Sequence, residues 1–252
     1  MIGAKTVIVV ACAATFAWSS HALAEKITPE FASGATRPRS IALLPVEAAV
    51  SRARVIETEA LVDDGLQYGA MFNTQVEAAL KAKGYEVIVV DPDRINSDAQ
   101  LQEYVVDANR GFDDMMAKYK PKKLEARALN AGDSVRLLAD RLGVDAVAFS
   151  TLSMTITAGG KALVAGFLGG PTSGTSSNLA IVNGDNGDLE ALFFGVAIVT
   201  PGEKTDQEMA DYVAAVAART TNKVPAADPS SRIDVATSDE ATLEEVESLL
   251  EL

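Results

Sequence analysis

Residues 40–46 read Ser-Ile-Ala-Leu-Leu-Pro-Val, and residues 85–90 read Tyr-Glu-Val-Ile-Val-Val. Both runs are short and almost continuously apolar, which is typical of a strand buried on both faces. Between them, residues 60–83 repeat apolar side chains at helical spacing, and Gly84 ends the pattern. The predicted core face of this helix is traced by Leu66, Gly69/Ala70, Gln75/Val76, Ala79 and Leu80. A strand, a helix and a second strand within about 50 residues predict a βαβ unit with parallel strands.

Further helical and strand patterns follow this unit. Residues 93–129 are polar and mostly helical in character, and residues 133–142 form a clear amphipathic helix. Residues 145–156 predict a third strand, and two apolar runs flank an Asn-Gly turn at 183–188, which indicates a hairpin. A last helix is predicted over 204–220. The order β-α-β-α-α-β-β-β-α predicts the α/β class: a single sandwich with a mixed sheet, parallel in its first strands and antiparallel in its later ones.

The first 24 residues are expected to be a secretory signal peptide. Lys5 precedes an apolar run, and Ala22-Leu23-Ala24 forms a small-x-small cleavage site. The apolar run is too short for a comfortable membrane-spanning helix. A competing interpretation takes Val9-Val10-Ala11-Cys12 as a lipobox, with Cys12 as the candidate lipidation site. The first interpretation places the protein in the periplasm, and the second anchors it as an outer-membrane lipoprotein.

Three further parts follow the predicted signal peptide. Residues 25–39 contain two prolines and no periodicity, and they are expected to be a linker. Residues 40–222 hold the predicted α/β domain. Residues 223–252 form an acidic tail whose last apolar residues recur at helical spacing. We expect this tail to be solvated and disordered, with a short docking helix as the alternative.

Charge and rare residues exclude several classes of function. The chain has 22 Lys+Arg against 35 Asp+Glu, a net charge of −13, and such a field repels nucleic acid and anionic lipid head groups. No nucleic-acid partner is therefore expected, and membrane contact is expected only if Cys12 is acylated. The one histidine, His21, and the one cysteine both lie in the predicted signal peptide. Without them, Ser-His-Asp catalysis, Cys-His catalysis and zinc sites of the Cys/His type are excluded, and we expect no enzyme activity, no metal and no cofactor.

A glycine-rich stretch over 158–177 is the most unusual part of the predicted domain. It lacks the lysine of a phosphate-binding loop and precedes a strand rather than a helix, so a nucleotide site is not expected. Its apolar patch is the candidate partner contact and consists of Leu163, Val164, Phe167 and Leu168. The alternative for the stretch is a passive insertion. The acidic pairs at 63–64, 113–114 and 244–245 are expected to be solvated, and the turn at 183–188 lacks the pattern of a calcium loop.

Four local motifs carry a family resemblance. They are Leu43-Leu44-Pro45-Val46 at the end of the first strand, Gly84-Tyr85-Glu86-Val87 before the second, the helix-to-strand junction at 139–146, and the hairpin turn at 183–189. Over residues 39–220 the chain resembles the TolB N-terminal-like group of envelope proteins, which includes the curli-secretion lipoprotein family. The resemblance implies a non-enzymatic accessory role at the cell envelope, exerted through protein contacts.

Two functional hypotheses follow from these patterns. The first is an exported envelope accessory protein that acts by protein–protein contact in assembly or secretion. Its partner would be an envelope or secretion protein, or a second copy of the chain. The alternative is a periplasmic component of a transport system that binds a small molecule or a polysaccharide. That alternative predicts a concave pocket near the carboxyl ends of the parallel strands, lined by residues that follow Val46 and Val90.

Overall fold

The computed structural model describes residues 26–53, 58–119, 129–157, 174–197 and 205–227. It confirms the predicted class, because the chain forms an α/β fold with a mixed sheet flanked by helices. The strands are β1 (Lys26–Ile27), β2 (Ser40–Leu43), β3 (Glu47–Ala53), β4 (Thr58–Ala60), β5 (Glu86–Val89), β6 (Ala146–Thr157), β7 (Gly174–Asn183) and β8 (Leu189–Ala197). The helices are α1 (Pro29–Ser33), α2 (Val62–Ala82), α3 (Pro92–Ser97), α4 (Ala99–Lys118), α5 (Asp133–Leu142) and α6 (Asp206–Thr221).

The strands of the described ranges form one sheet, whose main path runs β1-β8-β7-β6-β2-β5. β2 pairs in parallel with β5, as the βαβ pattern predicted. β6 is 12 residues long; its first part pairs in parallel with β2 and its second part with β3. The remaining pairs are antiparallel, including the predicted β7–β8 hairpin. The long β6 strand therefore joins the parallel half of the sheet to the antiparallel half.

Helices cover both faces of the sheet. α2 and α6 pack on one face, where Phe72 and Val213 are fully buried. α4 and α5 pack on the other face. There the ring of Phe112 in α4 stacks on the ring of Phe149 in β6, with centroids 4.5 Å apart and planes 4° apart. This contact fixes the middle of α4 over the centre of the sheet.

The core face of α2 is rotated from the one that the sequence predicted. Its buried residues are Gly65, Gly69, Phe72, Val76 and Leu80. The predictions of Leu66, Ala70 and Gln75 on the core face were wrong, because Leu66 is 71% exposed and Ala70 and Gln75 are also exposed. The glycines explain the rotation: a Cβ at Gly69 would lie 2.9 Å from the Cβ of Ala48, so glycine lets the helix approach β3 closely.

Part of the predicted linker at 25–39 forms defined structure instead. β1 pairs with β8, and α1 follows it. The hydroxyl of Thr28 caps α1 by accepting the backbone N–H of Phe31, and the side chain of Phe31 is fully buried. Residues 26–39, which we call the lead-in, therefore belong to the folded domain. Hydrophobic periodicity misses such a segment because a helix of 5 residues is too short to repeat.

The folded domain also continues beyond residue 222, where the acidic tail was predicted to begin. Val224 is buried, and the backbone N–H of Ala227 donates to the carbonyl of Lys83. The hydroxyl of Tyr85 donates to the carbonyl of Pro225 at 2.9 Å. The tail from residue 228 lies outside the described residues, so the disordered tail and its alternative, the docking helix, both stay predictions.

Removal of the Tyr85 hydroxyl tests this contact and its dependence on pH. Burial raises the pKa of Tyr85 to about 12 from 10.0, against the opposing influence of the Arg37 charge. The free energy of unfolding is therefore unaffected below the ordinary phenol pKa and falls as the pH rises from that value to the pKa of the folded protein. A difference of about 2 between the two pKa values corresponds to a loss of about 2.7 kcal/mol. Tyr85→Phe should lower the free energy of unfolding by about 1 kcal/mol at neutral pH, because the hydrogen bond is lost. The variant should not lose further stability at alkaline pH, because phenylalanine does not ionise. We expect the curves of unfolding free energy against pH for wild type and Tyr85→Phe to cross at about pH 11. Curves that stay parallel in urea titrations would contradict this.

Candidate functional site

Most of the residues that the sequence marked as sites lie outside the described residues. The apolar patch falls there with Leu163, Val164, Phe167 and Leu168, and so does Cys12. Their roles in partner contact and lipidation stay predictions. Of the acidic pairs, Asp63 and Asp64 lie in the first turn of α2, where carboxylates favour the positive end of the helix.

The described ranges give no sign of a metal centre or of a membrane span. Among their side chains, no group of three or more His, Cys, Asp or Glu could hold a metal ion. Their helices also include none long and apolar enough to cross a bilayer. The expectations of no cofactor and no enzyme activity stay predictions.

A row of four side chains crosses the sheet on the face that α4 covers. The strand register places Glu47 of β3 opposite Thr151 of β6, Thr151 opposite Asn178 of β7, and Asn178 opposite Phe194 of β8. Residues that pair directly across strands point to the same side of a sheet, and Thr151 shares its side with Phe149, two positions earlier. The row therefore lies next to the point where α4 is held.

The next row outward is lined by small or exposed side chains. Ala49, Ser153, Ser176 and Val196 are aligned across the same four strands. Ala49 and Ser153 are exposed, and Val196 is 53% exposed, so no described helix covers this row. We call the two rows together the ledge.

One end of the ledge is acidic. Burial of the carboxyl raises the pKa of Glu47, and the nearby charge of Asp113 raises it further. Burial also raises the pKa of Asp113, with a contribution from Asp114. The ion pairs of the described residues include neither Glu47 nor Asp113. The fold thus brings two carboxylates from α4 and β3 within electrostatic reach of each other and leaves them without a cation from the described part of the chain.

The middle of the ledge holds an unsatisfied acceptor. Asn178 is 6% exposed, and its Oδ1 atom is buried without a hydrogen-bond partner. Leaving a buried acceptor without a donor costs about 1–3 kcal/mol, and most proteins avoid it. Asn178 therefore marks a position where a donor group from outside would be stabilising.

The other end of the ledge is aromatic. The ring of Tyr119, directly after α4, lies 6.4 Å from the ring of Phe194 at an angle of 39°. The Nζ atom of Lys26 lies 5.8 Å from the centroid of the Tyr119 ring. Burial raises the pKa of Tyr119. The ledge therefore runs from carboxylates, past an amide oxygen, to two aromatic rings.

A polar cleft of about 480 Å³ lies at the opposite end of the sheet, near the start of β2. One of its acids, Asp145, accepts backbone N–H groups of Arg39 and Ser40 at 2.8 and 2.9 Å. Burial alone would raise the pKa of Asp145, but these hydrogen bonds outweigh it and lower the pKa. The carboxylate of Asp145 therefore serves to join the start of β2 to the start of β6.

Another acid of the cleft, Glu190 in β8, accepts hydrogen bonds from the lead-in. Its Oε2 atom accepts the hydroxyls of Thr28 at 2.8 Å and Thr36 at 2.9 Å, and its Oε1 atom accepts the amide of Asn183 at 3.2 Å. Glu190 is 6% exposed. Because these polar groups satisfy one another, the cleft is a structural junction, and the ledge is the better candidate site.

The ledge includes one of the two positions that the alternative hypothesis named, whereas the cleft lies at the other end of the parallel strands. Glu47 directly follows Val46 and is the first residue of β3, a few residues after the carboxyl end of β2. The corresponding residue after Val90, Asp91, instead caps α3 by accepting the backbone N–H of Arg94 at 2.8 Å. Sequence reasoning assigned the acidic pair that includes Asp113 to the solvated surface and missed Asn178 altogether. A polar residue inside an apolar strand was the one signal that could have found it.

A second exposed feature is an apolar strip on α2. Val62 is 58% exposed and Leu66 is 71% exposed, and the exposed Ala70 continues the series at a spacing of four. This spacing places all three on one side of the helix. Single exposed apolar side chains are ordinary, but an aligned set makes a continuous apolar surface. We call these three residues the α2 strip.

The fold and these two features define an α/β sandwich with open surface sites. No family model and no curated protein matches the chain. Among solved structures it is similar to the PelC dodecamer from Paraburkholderia phytofirmans, with 8% identity over 81% of this chain and 96% of that one, at a TM-score of 0.40. It is also similar to lipoprotein GNA1162 from Neisseria meningitidis, with 16% identity over 74% and 99% of the two chains, at a TM-score of 0.32.

A third similar structure is the LpoB C-terminal domain from Salmonella enterica, with 10% identity over 64% of this chain and 84% of that one, at a TM-score of 0.29. With TM-scores of 0.40 and below, these likenesses carry no argument about what this chain does. The resemblance to the TolB N-terminal-like group stays a prediction from the sequence.

Proposed function

We propose that this chain is a non-enzymatic, exported accessory protein of the cell envelope that acts by protein–protein contact. The α2 strip is the observation that carries this proposal. A leucine that is 71% exposed, one helical turn after a valine that is 58% exposed, leaves apolar surface in water unless a partner covers it. The predicted signal peptide supports the envelope as its compartment.

A photo-crosslinking side chain at residue 66 tests the proposal directly. We expect a covalent adduct of defined mass when cells that carry the protein in their envelope are irradiated. The matched control is residue 106 in α4, since Val106 is 49% exposed but lies on the helix that covers the other face. Mass spectrometry of the adduct separates an envelope protein from a second copy of the chain. No adduct at residue 66, or equal adducts at both positions, would overturn the proposal.

A charge in the α2 strip should prevent the contact. With the crosslinker at residue 62, Leu66→Glu is expected to lower the adduct yield about tenfold or more, since burying a leucine contributes about 1.5–3 kcal/mol. The same change should leave the free energy of unfolding within about 0.5 kcal/mol, because residue 66 is on the surface. Urea titration checks the second statement, and an unchanged adduct yield would count against the strip as the contact.

The second candidate function is the binding of a small molecule or a polysaccharide by a transport component. The ledge supports this candidate in two ways: Glu47 directly follows Val46, one of the two positions that the hypothesis named, and Asn178 has a buried acceptor without a donor. A thermal-shift screen with envelope sugars tests it. A sugar that stabilises wild type but not Asn178→Ala would support this function.

A further inference from the structure

We propose that the ledge binds the guanidinium group of an arginine side chain that a partner protein presents. The inference rests on the proposed function, because the arginine comes from a protein partner. It adds that the partner presents an arginine side chain, whereas the α2 strip indicates only an apolar surface on the partner.

The polar groups of the ledge are hydrogen-bond acceptors, so a ligand that binds there must supply hydrogen-bond donors. The carboxylates of Glu47 and Asp113 only accept hydrogen bonds when ionised, and Oδ1 of Asn178 is an acceptor without a donor. A guanidinium group carries five N–H donors and no acceptor, so it matches this set. Its charge would also offset the repulsion between the two carboxylates, which find no cation among the described residues.

The spacing of the strands suits a group of this width. Glu47 and Asn178 lie on strands on either side of β6, so their backbones are about 10 Å apart, with Thr151 between them. Both side chains extend from the same face, which leaves a gap that a planar group above Thr151 can bridge. The small side chains of Ala49, Ser153 and Ser176 in the outer row leave room for the aliphatic part of an arginine.

The aromatic end of the ledge favours arginine over lysine. The ring of Phe194 is next to Asn178 in the row, and the ring of Tyr119 packs against it. A planar guanidinium stacks on aromatic rings and is weakly hydrated, whereas an ammonium is a compact and strongly hydrated charge. The net charge of −13 further attracts a basic partner.

The experiment uses a blocked Gly-Arg-Gly peptide as the probe and the protein without its predicted signal peptide. We expect amide NMR shifts on addition of the peptide to map to Glu47, Thr151 and Asn178, and the same peptide with neutral citrulline to give none. The double variant Glu47→Gln, Asp113→Asn should weaken binding at least about tenfold, because two charge-assisted hydrogen bonds are lost. The control Glu86→Gln, an exposed acid on β5 at the far edge of the sheet, should bind as wild type does.

The melting temperature of the variants shows whether they still fold, and the direction of its change can be predicted. Because burial and Asp113 both disfavour the Glu47 carboxylate, Glu47→Gln should melt at the wild-type temperature or above it. Shifts that map elsewhere, equal binding of the citrulline peptide, or sugars that shift the ledge when arginine does not would overturn the inference. A crosslink at residue 66 in the wild-type protein, together with no binding of the arginine peptide by that same protein, would show that this inference fails while the proposed function stands.

Discussion

Replacing Glu190 with alanine is expected to destabilise the protein by about 3 kcal/mol and to detach the lead-in from the sheet. The carboxylate is 6% exposed and accepts three hydrogen bonds, from Thr28, Thr36 and Asn183. Hydrogen bonds to a charged group each contribute about 1.5–3 kcal/mol, and alanine would leave all three donors without their acceptor. The net loss is smaller than the sum of the three bonds, because alanine also removes the cost of burying the carboxylate charge. Two of those donors belong to the lead-in, so this segment should lose its attachment before the sheet itself opens.

Two measurements separate the global effect from the local one. The melting temperature should fall by about 6–12 °C, as expected for a loss of this size in a domain of this length. Hydrogen exchange should show early loss of protection at Phe31 and its neighbours, with β6 and β7 retained. Glu190→Gln keeps one acceptor and should lose less, whereas Glu86→Ala on the surface of β5 should stay within about 0.5 kcal/mol. Full protection at Phe31 in Glu190→Ala would show that burial of that ring, not the carboxylate, holds the lead-in.

The elements that could be predicted from the sequence are those whose apolar pattern repeats. The runs at 40–46 and 85–90 form parallel strands, α5 forms where the amphipathic pattern predicts it, and the β7–β8 hairpin forms where its turn residues predict it. β3 and β4 were missed because their residues mix small, polar and charged side chains. Pairing with the second half of β6 makes β3 a strand, and no local pattern records a tertiary pairing.

The site was less predictable than the fold for a similar reason. Two of the four side chains that form the inner row of the ledge, Thr151 and Phe194, are ordinary strand residues when each is considered separately. Only the register across β3, β6, β7 and β8 brings Glu47, Thr151, Asn178 and Phe194 into one line. Asp113 comes from α4, far away in the sequence, and its neighbourhood depends on how closely that helix approaches the sheet.

Gly111 allows α4 to pack closely against the segment at Ala131, and Gly111→Ala is expected to lower the free energy of unfolding by about 2–3 kcal/mol. At an unrestricted helical position the same change would stabilise by about 0.5–1 kcal/mol, because alanine is the better helix former. Here an added Cβ would meet the carbonyl oxygen of Ala131 and would lie 3.2 Å from its carbonyl carbon and 3.3 Å from Oγ of Ser134. Because the main obstacle is backbone, a change of side-chain rotamer cannot relieve it, and α4 must move away.

The displacement of α4 should reach the ledge as well as the stability. Phe112 and Asp113 directly follow Gly111, so a shifted helix would loosen the ring stack on Phe149 and move the Asp113 carboxylate away from Glu47. We therefore expect Gly111→Ala to lower the urea midpoint and also to weaken binding of the arginine peptide. Gly174→Ala in β7 is the matched control, because a Cβ there meets nothing within 4 Å; it should not lower the urea midpoint and should leave binding of the peptide unchanged. A Gly111→Ala variant as stable as wild type would mean that the backbone around Ala131 moves to accommodate the added Cβ. The close contact at Gly111 would then not be what places Asp113 near Glu47.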